Sequence, residues 1–562
     1  MPRYPTSQIS PPPDNKDGDS VFFGMNMKTD PASLEPGFYA EAINKRCWKG
    51  KLEPRKGTLI PVFANSGLTG PILGSAIYSN PNGVELLLIA TATQAYAIRE
   101  GTAMDTIAFN GFTMSGAVEL TQQFNIVLLQ QLGQPTKFWN GDPTVLFQNV
   151  TKSNPADVST KILPSIPWSV NFGSRCVFPG YSASVLDTVT ATLILDYTTY
   201  DPINAVFRVN TGTSDNIIGF IPYANANLIV AKQRSMDLLI NFLGDLTLTS
   251  ATVLSSEIGL AARKAVIMAG NDVHFLSRTG VHAVSQVFQD RIAASPVPLS
   301  DPIQPLIDRI NWPATGAVAA SISPYDYFAV PIDGSSVNNC MLVYNNQTRN
   351  WEGYDKWNGP ISLDALHIFT YRGQKRLFAV DYQNTAVYLM YEGNTDILTD
   401  GEHEIVDMIR TRAYPQAHWN PVARRDFKRL KFETNTLRPS ITVTQITENA
   451  GDSRILNPVP ITKDPTQYDQ FNLPPYNPTN ANNDFFVPGR QDYSVGMTTV
   501  QGGVNLGTGL PLEQLTSTPL RFSTQARGRT MQYQIDNTQG RCELLSAQVE
   551  SSVKDRQVGR VG

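Results

Sequence analysis

Apolar residues between residue 60 and about 400 gather into short runs separated by turn-rich breaks, a pattern that predicts strand after strand. The clearest stretch runs Leu366-His-Ile-Phe-Thr-Tyr371, breaks at Arg372-Gly373-Gln374 and resumes as Lys375-Arg-Leu-Phe-Ala-Val-Asp381. After Tyr382-Gln-Asn-Thr385 it ends with Ala386-Val-Tyr-Leu-Met-Tyr391. Breaks of about three to four residues have hairpin length, so this is a three-strand meander. A second copy spans Ala265–Met268, Val273–Ser277 and Val281–Val284, and a third spans Val84–Ala90 and Gln94–Ile98.

The copies share detail. Tyr96-x-x-x-Glu100-Gly101 matches Tyr388-x-x-x-Glu392-Gly393, and Phe138-Trp139-Asn140-Gly141 parallels Asn350-Trp351-Glu352-Gly353. A degenerate unit recurring without a strict period predicts a mainly β chain. Its expected centre is a divergent β-propeller over 61–400, with a β-sandwich or several small sheets as the competing architecture. The Thr-rich stretch 181–215 reads as an insertion in one blade. Asp301 followed by Pro302, Ile303, Leu306, Ile307 and Ile310 predicts a helix over Pro302–Ile310.

The flanks differ. Residues 1–20 carry Pro2, Pro5, Pro11, Pro12 and Pro13 among Asp, Asn and Gly, which predicts an extended arm. Residues 21–60 hold pieces too short for helices, with a turn at Pro36-Gly37. The last part, 401–562, predicts strands at Ile405–Arg412, Arg425–Glu433, Ser440–Ile446, Leu520–Gln525, Met531–Ile535 and Glu543–Glu550. Between them, 450–518 is rich in Pro, Asn and Gly. It is too long for an ordinary loop, so it reads as an arm between subunits or an insertion.

Charge narrows the function classes. The 562 residues carry 45 Lys and Arg against 49 Asp and Glu, a net charge of −4, which argues against a protein built to grip nucleic acid. The densest apolar run, Val84–Ala90, is too short to span a bilayer, and the Pro- and Asp-rich Met1–Asp19 does not read as a secretory leader. Cys47, Cys176, Cys340 and Cys542 are scattered, which predicts free thiols in a protein made in a reducing compartment.

Catalytic and metal motifs do not assemble. Gly507-Thr508-Gly509 opens like a dinucleotide fingerprint, but Leu512 stands where a glycine is needed. Asp14, Asp17 and Asp19 around Gly18 fail a calcium loop at both ends, where Pro13 and Gly24 stand. Glu402-His403-Glu404 with His418 reads as a solvated turn rather than a metal site. His274 and His282 fall on neighbouring strands of one hairpin and read as structural; His367 completes the five histidines. A glycosidase carboxylate pair stays open at this level.

One charge cluster stands out: Arg424, Arg425, Asp426, Lys428, Arg429, Lys431 and Glu433, interleaved with Phe427, Leu430 and Phe432. A second basic stretch holds Arg521, Arg527, Arg529 and Arg541. Strict alternation would put Phe427 with Arg425, Arg429 and Lys431, and Leu430 and Phe432 with Asp426 and Lys428, leaving both faces mixed. Pairing between strands or subunits is the reading favoured over phosphate contacts. The candidate interface or platform residues are therefore Arg424, Arg425, Lys428, Arg429, Lys431, Arg527 and Arg529.

The order of the pieces resembles a known family. Gly24-Met-Asn-Met-Lys-Thr-Asp-Pro-Ala-Ser-Leu-Glu-Pro-Gly-Phe-Tyr-Ala-Glu-Ala-Ile-Asn44, then Arg55-Lys56-Gly57, resembles the N-terminal segment of the tail nozzle proteins of short-tailed bacteriophages. Gly270–His282, Asp301–Ile307, Met341–Trp351, Phe427–Glu433 and Arg527–Ile535 resemble its later segments. The resemblance implies a structural virion protein, without enzymatic activity or cofactor, made in the bacterial host cytoplasm. It further implies a β-propeller with a β-sandwich-like platform from N- and C-terminal parts (21–60 and 401–562). The implied assembly is a homohexameric ring below the portal and its adaptor ring, attached to tail fibres or other tail proteins. Double-stranded DNA would pass through its channel without sequence-specific binding. The alternatives are a glycan-binding or glycan-cleaving β-propeller at the cell surface, and a baseplate or hub protein of a longer tail. An axial pocket with paired carboxylates and aromatics would mark the first of these.

Overall fold

The computed structural model describes residues 15–456 and 516–553, apart from 110, 153–155, 181–186, 210–214, 225, 271, 286, 288–296, 416–424, 438–439 and 448–452. The chain divides into two compact units. One takes residues 56–349 and 355–403; the other takes residues up to 55, 350–354 and from 404 on.

The first unit is a β-propeller. Among the described residues it holds seven blade sheets that follow one another along the chain, besides a small pair of Lys161–Ile162 with Thr199–Tyr200. They open with the strands Gly74–Ser79, Glu119–Gln123, Val170–Phe172, Ile217–Tyr223, Val266–Ala269, Val318–Ile322 and Ala365–Tyr371. In each sheet the strands that follow pair in sequence order, as in Gly74–Ser79, Glu85–Ala90, Gln94–Ile98 and Asp105–Ala108, save that Thr58–Leu59 enters the seventh.

Neighbouring blades pack face to face, and the ring closes. The apolar side chains of the first and second blades form one cluster, with others joining second to third, third to fourth, fourth to fifth, sixth to seventh, and seventh back to first. The fifth and sixth blades meet where the Ala319 N–H donates to the Lys264 carbonyl at 2.9 Å. A middle strand is thus buried on both faces, which is why its sequence is a continuous apolar run rather than an alternation. In Glu85–Ala90, Leu86, Leu88 and Ala90 pack with Val127 and Leu129 of the second blade. Leu87 and Ile89 pack with Phe378 and Val380 of the seventh. Each such Leu or Ile contributes about 1.5–3 kcal/mol on burial.

Closure uses the start of the unit. Thr58–Leu59 pairs antiparallel with Ala386–Met390 and parallel with Asp396–Leu398, so the seventh blade borrows an inner strand of its sheet from the N-terminal side. Gly57 sits on either side of two backbone bonds there, donating to the Gly393 carbonyl at 3.0 Å and accepting from the Glu392 N–H at 2.8 Å. The repeated Glu-Gly ends are also explained, since Gly101 and Gly393 have φ of +78° and +80°, where a side chain is disfavoured.

Two expectations fail in this unit. Within the described part of 181–215, Thr188–Ala191 and Val206–Arg208 are third-blade strands rather than an insertion, paired with Arg175–Pro179 and with each other. Thr188–Ala191 is wholly buried, and β-branched threonine fits such a strand. The predicted helix Pro302–Ile310 shrinks to a 3₁₀ turn, Asp301–Ile303, and one α-turn, Gln304–Ile307. Ile310 instead makes a β-bridge with Ile332.

The second unit is β-rich and interleaves both flanks of the chain. One sheet runs Thr516–Gly528, Arg425–Leu437, Arg541–Val553, Lys51–Pro54 and Lys45–Trp48. Another joins Glu41–Ile43, Asp407–Arg410, Met531–Asn537, Ile441–Thr447 and Ser453–Leu456. Asn15–Asp19 is a strand on Arg541–Val553, where the sequence suggested an extended arm. Residues 1–14 and 457–515, the greater part of the predicted insertion, lie outside the described residues.

Candidate functional site

Within the propeller, the opening strands line a cavity of about 290 Å³. Ser75, Ala76 and Ile77 come from the first blade, Glu119 and Leu120 from the second, and Val318 and Ala319 from the sixth. Leu366 and His367 come from the seventh, and Lys264 precedes the fifth. The wall is mixed, with aliphatic side chains around four polar groups.

Those polar groups form two networks. Arg263 donates to Glu119 through both terminal nitrogens, at 2.9 Å to Oε1 and 2.5 Å to Oε2. Its guanidinium also lies 5.5 Å from the Trp168 ring centroid. Lys264 reaches the same carboxylate at 3.4 Å. Burial alone would raise the Glu119 pKa, but Lys264 and Arg263 outweigh it and hold the carboxyl below its usual range. Burial disfavours the Lys264 ammonium, yet Glu119 and Tyr382 together outweigh it and the pKa rises, so the charge persists.

The second network is neutral. Ser75 Oγ lies 2.8 Å from His367 Nε2 and 3.1 Å from the Tyr382 hydroxyl. Burial, then the Lys264 charge, pushes the His367 pKa down to about 3. A serine beside a histidine suggests nucleophilic catalysis, but an imidazole this weakly basic is a poor proton acceptor at neutral pH. Glu119, tied to Arg263, is likewise no free base.

The second unit holds two buried ionic clusters. Arg412 donates to Asp17 at 2.7 and 3.0 Å and to Asp19 at 2.9 Å, and the Tyr414 hydroxyl donates to Asp19 at 2.6 Å. Asp19 also accepts from the Gly37 N–H at 2.9 Å. Two of the aspartates that failed as a calcium loop, Asp17 and Asp19, are therefore partners of an arginine, and Asp14 lies outside the described residues. Lys45 pairs with Asp407 at 2.5 Å and donates to the Cys542 carbonyl at 2.7 Å, while Asn537 donates to Asp407 at 2.9 Å. Burial, partly offset by Lys45, raises the Asp407 pKa.

The predicted interface residues fall on a long ribbon. Arg425, Lys428, Arg429 and Lys431 belong to Arg425–Leu437, and Arg527 belongs to Thr516–Gly528; Arg424 lies outside the described residues. Lys428, Arg429 and Arg529 are exposed, and Lys431 pairs with Glu433 at 2.7 Å. The mixed faces expected from strict alternation are not found. A β-bulge between Phe427 and Arg429 shifts the register against both partner strands. The extra residue brings Phe427, Leu430 and Phe432 to burial together while Lys428 and Arg429 stay in solvent.

The other candidates have plain partners. His274 Nδ1 meets Asp326 at 2.8 Å and His282 Nε2 meets Thr279 at 2.9 Å. In register His274 faces Ala283 and His282 faces Phe275, so the two histidines are not a pair. His403 bonds Asp400 at 2.8 Å and Glu402 accepts from Thr395 at 2.6 Å; Gly401–His403 is a strand rather than a turn, and His418 lies outside the described residues. No group of three or more potential metal ligands occurs among the described residues. The four cysteines are free, and burial pushes the thiols of Cys47 and Cys176 up to about 12.

Sequence reasoning named His367 but not its companions. Ser75 and Glu119 open the first and second blades and the Arg263–Lys264 pair precedes the fifth, and only a shared position near the start of a blade could have signalled them.

No protein-family model matches the chain, and no curated protein does. Several solved structures are similar at low level. The extracellular domain of the hybrid two component system BT3049 from B. thetaiotaomicron is 11% identical with a TM-score of 0.37, matching 57% of this chain and 40% of that one. YCF48 from Cyanidioschyzon merolae is 10% identical with a TM-score of 0.33, over 60% of this chain and 98% of that one. BBS1N, solved in complex with ARL6DN, is 11% identical with a TM-score of 0.35, over 60% and 99%. The propeller assignment rests on the blade order and closure described above, and likenesses this distant say nothing of function.

Proposed function

We propose that the chain is a structural protein of a short-tailed phage virion, building the nozzle that retains and conducts the genome. The observation that carries this reading is the second unit. Strands from residues 15–54 and from 407–553 share its sheets, as the family resemblance implies for a platform drawn from both ends of the chain. In this reading six copies form a ring below the adaptor, and tail fibres or other tail proteins attach to it. Exposed Lys428, Arg429 and Arg529 are offered to carboxylates of a neighbouring subunit, where arginine forms bidentate bonds. DNA passes without sequence-specific contact, in keeping with a net charge of −4. Electron microscopy of the particle tests this: a sixfold ring of this chain at the tail is expected, and another copy number or no ring overturns it.

A second reading, a glycan-binding propeller at a cell surface, is favoured by the polar cavity on the opening strands. The cleaving variant has less support. Glu119 is the only carboxylate among the lining residues and is held by Arg263, and no aromatic side chain is among them. Glycan-array binding by the purified chain tests this reading; an array without signal removes it.

A further inference from the structure

The cavity has a charge that its own walls leave partly unanswered. Two cations, Arg263 and Lys264, stand at one carboxylate, Glu119. Arg263 takes both of its oxygens, and Lys264 is left a single contact at 3.4 Å, the outer edge of hydrogen-bond range. An ammonium carries three donors, so Lys264 has donors to give. Asp364 is near enough for the Lys264 charge to pull on it, but it makes no ion-pair contact with the ammonium. Its carboxyl accepts from the Tyr382 N–H at 2.8 Å, and burial raises its pKa.

Opposite this cation stand neutral groups suited to hydroxyls. Ser75 and His367 line the cavity, and the Tyr382 hydroxyl lies 3.1 Å from Ser75 Oγ. Ile77, Leu120, Val318 and Leu366 supply aliphatic wall for C–H faces. At about 290 Å³ the space has room for one small ring.

We propose that this cavity binds a small carboxylate-bearing polyol, the class of a sugar acid, with the carboxylate on Lys264 and hydroxyls on Ser75 and His367. The inference rests on the glycan-binding reading and names its ligand class. A carboxylate at Lys264 gives the ammonium a close acceptor, which Glu119 at 3.4 Å does not. A neutral sugar fills the same space but leaves the ammonium short of an acceptor, which is costly in a partly desolvated site.

Calorimetric titration of the full chain at pH 7 with glucuronate, its neutral amide glucuronamide, and acetate tests the proposal. Glucuronate is expected to bind with Kd of about 1 mM or tighter. Glucuronamide and acetate should each bind at least about tenfold more weakly, because each lacks one half of the recognition. Lys264→Met keeps the aliphatic stem and the Arg263–Glu119 pair, and should make glucuronate and glucuronamide equal. Should that variant misfold, Ser75→Ala serves, with weaker glucuronate binding and unchanged acetate expected. Equal affinity of the wild-type chain for glucuronate and glucuronamide overturns the proposal while leaving the glycan reading intact. Acetate binding as tightly as glucuronate reduces the site to a simple anion pocket and overturns it too. No binding of any of the three overturns it, and a blank glycan array alongside removes the broader reading as well.

Discussion

Arg412 donates to Asp19 at 2.9 Å across 393 residues of chain, and its remaining nitrogens take Asp17. The guanidinium side chain has no exposed surface, so these carboxylates are its solvation shell. The strand Asn15–Asp19 is thus fastened by charge-assisted bonds as well as by its ladder to Arg541–Val553.

Replacing Arg412 by Met leaves two carboxylates and the Tyr414 hydroxyl together without their cation. A loss of about 3–5 kcal/mol is expected, the cost of breaking one side of a buried ion pair. Urea unfolding measures it, and amide exchange over Lys16–Asp19 should accelerate more than in the propeller.

Acid should destabilise the propeller through its histidines. Burial pushes His282 down to about 4, and burial with Lys264 pushes His367 to about 3. In the unfolded chain both take protons from about pH 6.5 downward, whereas the folded chain keeps them neutral. The unfolded state then binds more protons, so stability falls as pH drops from about 6.5 towards 4. The slope is up to about 1.4 kcal/mol per pH unit for each histidine. His282→Gln should flatten the pH dependence of the melting temperature in that window; an unchanged slope counts against the assignment.

Gly57→Ala tests the ring closure. A Cβ there would overlap the Thr395 carbonyl, backbone that cannot swing aside. Detachment of Thr58–Leu59 and a loss of about 2–3 kcal/mol are expected, read by thermal melting and by faster exchange at Leu389 and Met390.

The bulge at Phe427 makes a contrast between neighbours. Phe427→Ala should cost about 3–5 kcal/mol, as for a buried aromatic. Lys428→Ala, one residue on and exposed, should stay within about 0.5 kcal/mol. Under the strict alternation expected from sequence, a face shared by Phe427, Arg429 and Lys431 would give no such sharp step. Chemical denaturation of the two variants decides.

The strands were legible because a doubly buried strand writes itself as an apolar run, as in Glu85–Ala90 and Ala386–Met390. The third blade was missed where Thr188–Ala191 fills a buried strand with threonine, a residue that hydropathy counts as polar. The cavity was illegible for a different reason. Ser75 and His367 touch across 292 residues, and no local pattern encodes which blade will face which. The bulge between Phe427 and Arg429 was hidden because alternation assumes one residue opposite one, and a single extra residue reverses every side chain after it.

The borrowed strand Thr58–Leu59 sets an order for synthesis. Its partner Ala386–Met390 leaves the ribosome more than three hundred residues later, so the nascent propeller stays an open arc until then. The second unit waits longer, since Lys51–Pro54 and Asn15–Asp19 both pair with Arg541–Val553 near the chain's end. Translation therefore completes the propeller while one sheet of the second unit still lacks its central strand, Arg541–Val553. The unit encoded between the two flanks is finished before the unit that the flanks themselves build. Until residues 541–553 emerge, the unpaired edges of residues 15–54 are the part of the nascent chain most in need of a chaperone.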